Sequence, residues 1–359
     1  MPELPSGIPG SRQKDGHTMR KMNLFEKAWK SLALPGVIFL IFAVISLATG
    51  NSFLSSSMLL YTMRLSCVTL IIALAISFQI INGVFDFSTG AIVYLSAIIG
   101  CNIAVTNKLG AGVMALIIIG VGILLGLING ILYVTLRLPP RVVSLATVMI
   151  YEAVTQIYRD GKGVMITTKP QYAIFSKQPY IFIIAFVMIL FYWALMKYTR
   201  FGLRAKALSS GQKIAVDFGI REKANVLIRY AIFGLFLGVA AVLYLGQNLI
   251  IECAKDMTST IVMFSSIMPV TIGLRLAKYS NTPIGILMAV LAMEFISVGF
   301  VCMGLDPNLA SAVNGLFILF FIAYTGNLPA MANFFHRKKR RAELTAEFAD
   351  AGYKETAAK

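Results

Sequence analysis

Apolar runs of 17 to 24 residues alternate with short polar stretches along most of the chain. The runs fall at roughly 33–50, 58–81, 87–106, 111–134, 142–158, 180–197, 225–247, 258–275, 282–303 and 309–327. Within them hydrophobicity is continuous and does not alternate with period two, so they predict helices and exclude a barrel of short alternating strands. About twenty apolar residues in a helix cross the hydrocarbon core of a bilayer. The pattern predicts an all-α polytopic membrane protein of about ten spans, or eight plus two broken or re-entrant segments. The two doubtful segments are the fifth, VVSLATVMIYEAVTQIY, which carries Glu152, and the eighth, TSTIVMFSSIMPVTIGL, which carries Pro269 and several hydroxyls. Broken helices at membrane depth are tolerated only where protein or a water cavity covers them.

Composition agrees with this pattern. Hydrophobic residues make up 58% of the 359 and charged residues only 13%, against nearly half and a quarter in soluble domains. The net charge of +16 collects between runs and at the ends, without zinc-finger spacing or an aromatic-interleaved basic motif, so no nucleic-acid partner is expected. With the N-terminus inside, the cytoplasmic segments would hold 24 of the 32 Lys and Arg and the outer loops six. That bias predicts cytoplasmic N- and C-termini. Residues 1–32 read as a disordered and then amphipathic cytoplasmic segment, 33–327 as the membrane domain with a cytoplasmic loop over 198–224, and 328–359 as a basic tail suited to anionic lipid. The polar N-terminal stretch is unlike a cleavable signal.

Enzymatic chemistry has little footing. The two histidines, His17 and His336, fall in terminal polar segments, and no HExxH, GxSxG or GxxxxGK[ST] motif occurs. Catalysis, a metal site and ATP binding through a Walker loop of this chain are therefore not expected. Cys67, Cys101, Cys253 and Cys302 lack CxxC spacing and read as small buried hydrophobes, with a Cys253–Cys302 disulfide left open.

Polar residues inside the apolar runs are the candidates for a solute pathway: Gln79, Asn82, Asp86, Ser88, Asn129, Glu152 and Glu294. An intramembrane carboxylate costs about 2.5–3.5 kcal/mol on insertion scales, so each should face protein or water. Glu152 and Glu294 either line a pathway or pair within the bundle. Asp86 and Ser88 precede an apolar run and suit helix N-capping, with a pathway or interface role for Asp86 as the other reading. Gly83 and Gly90 would permit close helix approach. Gln156 and Asn314 join the amides that would either meet a hydroxylated solute or tie helices together, and Arg64 is expected to snorkel near a span end.

The loop KYTRFGLRAKALSSGQKIAVDFGIREKA (197–224) is longer than a connector between spans requires. Ser209 to Ala215 suit a two-turn helix capped by Ser209 or Ser210, with Ile214, Ala215 and Phe218 as its apolar face, and Gly211, Gly219 and Ile220 shaping the turns. Such a helix rests on lipid or docks in a partner's cleft.

Three segments together carry a family resemblance. NGVFDFSTGAIVYLSAIIG (82–100), GLINGILYVTLRLPPRVVSLATVMIYEAV (126–154) and TRFGLRAKALSSGQKIAVDFGI (199–220) follow the order and spacing of signatures in permease subunits of bacterial ATP-binding-cassette importers. That family serves monosaccharides, nucleosides and branched-chain amino acids, and the pattern is most similar to its ribose-like sugar branch. Two departures stand out. Only Gly273 and Gly285 remain where the family carries a glycine-rich turn, and Gly211-Gln212-Lys213 and Ala215-Val216 replace its usual Asn and Ala pair. The resemblance implies a non-enzymatic, multi-pass subunit of the bacterial inner membrane that imports a small hydrophilic solute, most simply a sugar. It further implies a second permease copy or paralogue, an extracytoplasmic solute-binding protein, and ATPase subunits that carry ATP and Mg and dock at Ser209, Ser210, Gly211, Ile214, Ala215, Phe218, Gly219 and Ile220. The alternative is a secondary transporter coupled to protons or cations through Glu294, Glu152 or Asp86.

Overall fold

Nine of the ten long apolar runs are helices among the described residues, and the polar punctuation between runs sets the helix ends. The structure, a computed structural model, describes residues 24–210, 222–277, 280–306 and the helical positions 309, 312, 313, 315 and 316. The helices are α1 (Leu24–Thr49), α2 (Ser56–Ile81), α3 (Thr89–Thr106), α4 (Ala111–Leu136), α5 (Pro140–Ile157), α6 (Tyr180–Tyr198), α7 (Arg200–Ser210), α8 (Glu222–Asn248), α9 (Thr260–Leu276) and α10 (Thr282–Cys302). Asn51 and Ser55 cap the turn into α2, accepting from the N–H groups of Phe53 and Met58. Arg137 ends α4 in the left-handed region at φ 54°, and Pro139 and Pro140 then stop its continuation while Pro140 opens α5.

Among the described residues, seven helices are long and apolar enough to span a bilayer: α1, α2, α3, α4, α6, α8 and α10. The two segments expected to be irregular, α5 and α9, are single uninterrupted helices. At 17 residues, α9 reaches only about 26 Å, short of the ~30 Å hydrocarbon core. Its irregular part precedes it, in the non-helical residues 252–259. The tenth expected span lies mostly outside the described residues, as do most of residues 1–32 and the tail 328–359.

Two hydrophobic clusters hold the bundle. The larger runs through α2, α3, α4, α6 and α8. The smaller joins α1, the 52–54 turn, α9 and α10 through Phe42, Phe53, Met268 and Phe295, with ring centroids of Phe42 and Phe53 5.7 Å apart. Outward faces stay apolar: Leu47 of α1 is 76% exposed and Leu116 of α4 71%. In water that would be an anomaly, but against lipid it costs nothing.

The tightest seam is α4 against α8. Gly122, Gly126 and Gly130 recur every four residues on α4 and face Tyr230, Gly234 and Gly238 of α8. A Cβ at Gly126 would lie 2.5 Å from the Tyr230 carbonyl, and one at Gly122 2.7 Å from the Gly234 carbonyl. Without a hydrophobic drive between helices in lipid, such small-residue contact supplies the packing.

A polar cap closes one end of the bundle. Residues 158–179 cross over it, and Val164–Met165 (β1) pairs antiparallel with Ile250–Ile251 (β2). Arg159 donates to Asn102 Oδ1 at 2.9 Å and Thr106 Oγ1 at 3.2 Å, tying this cap to the end of α3.

Candidate functional site

Three of the candidate pathway residues meet in one buried chain of hydrogen bonds. Tyr151 of α5 donates to Asn129 Oδ1 at 2.7 Å, sharing its proton with the Leu125 carbonyl at 3.0 Å. Asn129 Nδ2 donates to Ser88 Oγ at 2.6 Å, and Ser88 Oγ donates to Asp86 Oδ1 at 2.5 Å. All four side chains are buried. The chain links the α2–α3 turn to α4 and α5 and ends on a carboxylate, where hydrogen bonds are strongest. Tyr230 and Arg229 of α8 act electrostatically on Asp86, although Asp86 Oδ2 and Arg229 Nε complete no hydrogen bond.

This geometry revises the capping expectation. Ser88 occupies the position before α3 but makes no side-chain cap bond. It spends its proton on Asp86, which also accepts the Ser88 N–H at 2.8 Å. Gly83 makes a turn, at φ +71° with nothing near its Cβ position, and so does not serve helix approach. Gly90 does: a Cβ there would strike the Ser259 carbonyl.

Glu152 has a different task. Its Oε2 accepts from the Met257 N–H at 2.8 Å, and its Oε1 from the Ser259 N–H at 2.9 Å and Ser259 Oγ at 2.6 Å. It holds the turn that leads into α9, where Asp256 and Met257 both sit in the left-handed region. Gln156 and Thr155 clasp the same approach through the Ala254 carbonyl, at 3.2 and 3.4 Å. Cys253 Sγ donates to the Thr155 carbonyl at 2.9 Å, and both Cys253 and Cys302 are free thiols.

Gln79 and Asp86 border a void of about 10 Å³, and neither amide atom of Gln79 has a protein partner. Asn82 Nδ2 donates to the Phe78 carbonyl at 2.9 Å. Glu294 stands apart from these groups and accepts from Thr69 Oγ1 at 2.6 Å.

That last contact borders a chamber of about 290 Å³ between α2, α8 and α9, near the size range of small-molecule sites. Its hydrogen-bonding lining includes Arg64, Thr69, Gln247, Asn248, Ser265 and Ser266. Tyr61 and Tyr244 add aromatic surface, and the Tyr244 hydroxyl lies 3.1 Å from that of Tyr94. Gln247 Nε2 donates to the Arg64 carbonyl at 2.6 Å, bridging α8 to α2. Arg64 lines this chamber with its Nε buried. Except for Arg64, sequence reasoning missed the lining. The available signal was helical spacing, since Tyr61, Arg64 or Leu65, Val68, Thr69 and Ile72 fall on one face of α2.

In the 197–224 loop, Ser209 and Ser210 are the last two residues of α7, which begins at Arg200. Ser209 Oγ donates back to the Lys206 carbonyl at 2.9 Å. Gly211, Ile214, Ala215, Phe218, Gly219 and Ile220 lie outside the described residues, as does Asn314.

A family model described as the permease component of the branched-chain amino acid transport system matches residues 58–322. The chain belongs to this family of transport permeases. The galactose/methyl galactoside import permease protein of Escherichia coli is 24% identical over 310 residues, covering 80% of this chain and 91% of its own length. The ribose import permease protein of Bacillus subtilis is 25% identical over 294 residues, 79% of this chain and 88% of its own. The fructose import permease protein of Rhizobium meliloti is 24% identical, covering 80% of this chain and 84% of its own length. No solved structure matches the chain.

Proposed function

We propose that this chain is the membrane-spanning subunit of an ATP-driven importer for a simple sugar, set in a bacterial inner membrane with both termini cytoplasmic. The observation that carries the reading is the chamber between α2, α8 and α9, with its hydroxyl, amide, guanidinium and aromatic lining, in a member of a permease family whose relatives include galactose, ribose and fructose import permeases. Hydroxyls and amides suit an uncharged hydroxylated solute, and aromatic surface suits the apolar face of a sugar ring. In this orientation the chamber and the 158–179 cap face outward, where a solute-binding protein would deliver its cargo. Partner ATPase subunits would hold ATP and Mg and dock at the loop after α7. A second permease copy or paralogue would complete the pathway.

Ion-coupled transport finds less support. Glu152 and the Oδ1 oxygen of Asp86 are committed to hydrogen bonds within the bundle.

The test is uptake by vesicles containing the chain with a partner ATPase and a solute-binding protein. ATP-dependent accumulation of galactose, ribose or fructose is expected, and Ala215→Arg plus Gly219→Arg should abolish it together with ATPase co-purification. Uptake driven by a pH gradient without ATP would overturn the reading.

A further inference from the structure

We infer that the chamber between α2, α8 and α9 takes a sugar bearing one carboxylate, held by Arg64, in preference to the neutral sugar of the same ring. The inference rests on the sugar-import reading and narrows it to a chemical class.

A neutral sugar is answered by hydroxyls, amides and aromatic surface, and it leaves one lining residue without a task. Arg64 is the only charged residue among those lining the chamber of about 290 Å³, and no Asp or Glu shares the lining with it. Its Nε is buried and completes no hydrogen bond. Arg64 lies about 12 Å along α2 from its first residue, Ser56, and a charge inside a span needs water or a partner. A guanidinium is a permanent cation that only donates, and its planar fork matches the two oxygens of a carboxylate. Hydrogen bonds in such a pair are roughly twice as strong as neutral ones. One cation balances one negative charge, so a carboxylate fits where a doubly charged phosphate ester exceeds it.

Two amides at the end of α8 add donors to the same lining. Gln247 and Asn248 each commit one amide N–H, to the Arg64 and Tyr244 carbonyls at 2.6 and 2.9 Å, and each retains a second. The α9 residues are of the other kind. Ser265 Oγ and Ser266 Oγ have given their protons to the Val262 carbonyl, at 2.9 and 3.1 Å, so they offer a solute lone pairs. A carboxylate satisfies the first set and ring hydroxyls the second, and a uronic acid carries both. Glu294 is not in the lining and touches it through Thr69 Oγ1. Thr69 lies five residues, about 7.5 Å, beyond Arg64 along α2, so a carboxylate seated on Arg64 is set away from that acid.

The test uses the purified full chain in detergent, without the binding protein, so that only this chain's preference is read. Thermal unfolding at constant ionic strength is followed against galacturonate, its methyl ester, galactose, galactose 6-phosphate, acetate and leucine, since a ligand bound by the folded state alone raises the midpoint. Galacturonate is expected to reach a given shift at about a tenth of the concentration its methyl ester needs. The ester keeps the ring and loses the charge, so this comparison needs no variant. In Arg64→Gln the advantage of the acid should vanish, and in Arg64→Lys, which keeps the charge without the fork, it should shrink. Ligand-free midpoints report folding, and the ester comparison carries the test if a variant misfolds. An ester as effective as the acid, or an undiminished advantage in Arg64→Gln, overturns the inference and leaves the sugar reading standing. Acetate as effective as galacturonate shows an ion effect without sugar recognition, and galactose 6-phosphate more effective than galacturonate shows a phosphate site; either overturns it. A midpoint raised by phosphatidylglycerol over phosphatidylcholine in mixed micelles, with galacturonate inactive, assigns Arg64 to lipid headgroups and overturns it too. A chain that responds to none of these ligands overturns the inference, and stabilisation by leucine with none by any sugar or sugar acid overturns the sugar reading with it.

Discussion

Removing the charge of Glu152 should loosen α9 and blunt solute binding without any contact to the solute. The carboxylate accepts three bonds, from the Met257 N–H, the Ser259 N–H and the Ser259 hydroxyl, at 2.6 to 2.9 Å. In Glu152→Gln the amide oxygen can keep the two Ser259 bonds, but the NH₂ group then meets the Met257 N–H, donor against donor. One bond to a charged acceptor is lost and a backbone donor is left unpaired, a cost of about 1–3 kcal/mol. Glu152→Ala forfeits all three bonds. It also frees Asp256 and Met257 from their left-handed conformations, each of which stores about 1–3 kcal/mol when held in place. Relief of that strain, and of a buried charge, offsets part of the lost bonding, so about 2–4 kcal/mol net is expected. The assay is chemical unfolding in detergent micelles for Glu152→Ala, Ser259→Ala and the double variant. Residues sharing a hydrogen-bond network couple by about 0.5–3 kcal/mol. Because α9 carries Ser265 and Ser266 into the chamber, solute affinity should fall alongside stability. Additive stabilities for the pair, or Glu152→Gln as stable as wild type, would refute the clasp.

Other expected outcomes follow from the same packing. Gly126→Val should cost at least about 1–3 kcal/mol by overpacking, because its branches meet the α8 backbone at Tyr230 and Gly234; Gly120→Val, with open space around it, should be near neutral, and thermal melts of the two would show the contrast. Tyr151→Phe removes the donor to Asn129 and should lower stability by about 1 kcal/mol while leaving the helix content by circular dichroism unchanged. Asn129→Leu removes the bonds to both Ser88 and Tyr151, so it should cost more than Tyr151→Phe in the same melt. Asn102→Ala should release the cap at Arg159 and raise protease cleavage within 158–179, with little change in the global midpoint.

The helical membrane fold was legible in the sequence because it rests on local quantities. Length and apolarity of a run decide whether a helix spans a bilayer, and nine of the expected runs, from α1 through α6 and α8 through α10, correspond to described helices. The family resemblance was likewise carried by local motifs, and the match over 58–322 bears it out. That Asp86, Ser88 and Asn129 matter to one another was not legible, since Ser88 and Asn129 are 41 residues apart and joined by a single 2.6 Å bond. The roles of the carboxylates also escaped a linear reading. Glu152 and Glu294 look alike in sequence, each an acidic residue within an apolar run. Folding gives one a cluster of backbone N–H groups 105 and 107 residues away and the other a single threonine hydroxyl. Composition and period thus set which segments become helices, because each helix satisfies its own backbone. Only the tertiary structure decided where side-chain protons go, because a polar group buried among helices takes its partners from whatever neighbouring helices bring within 3 Å.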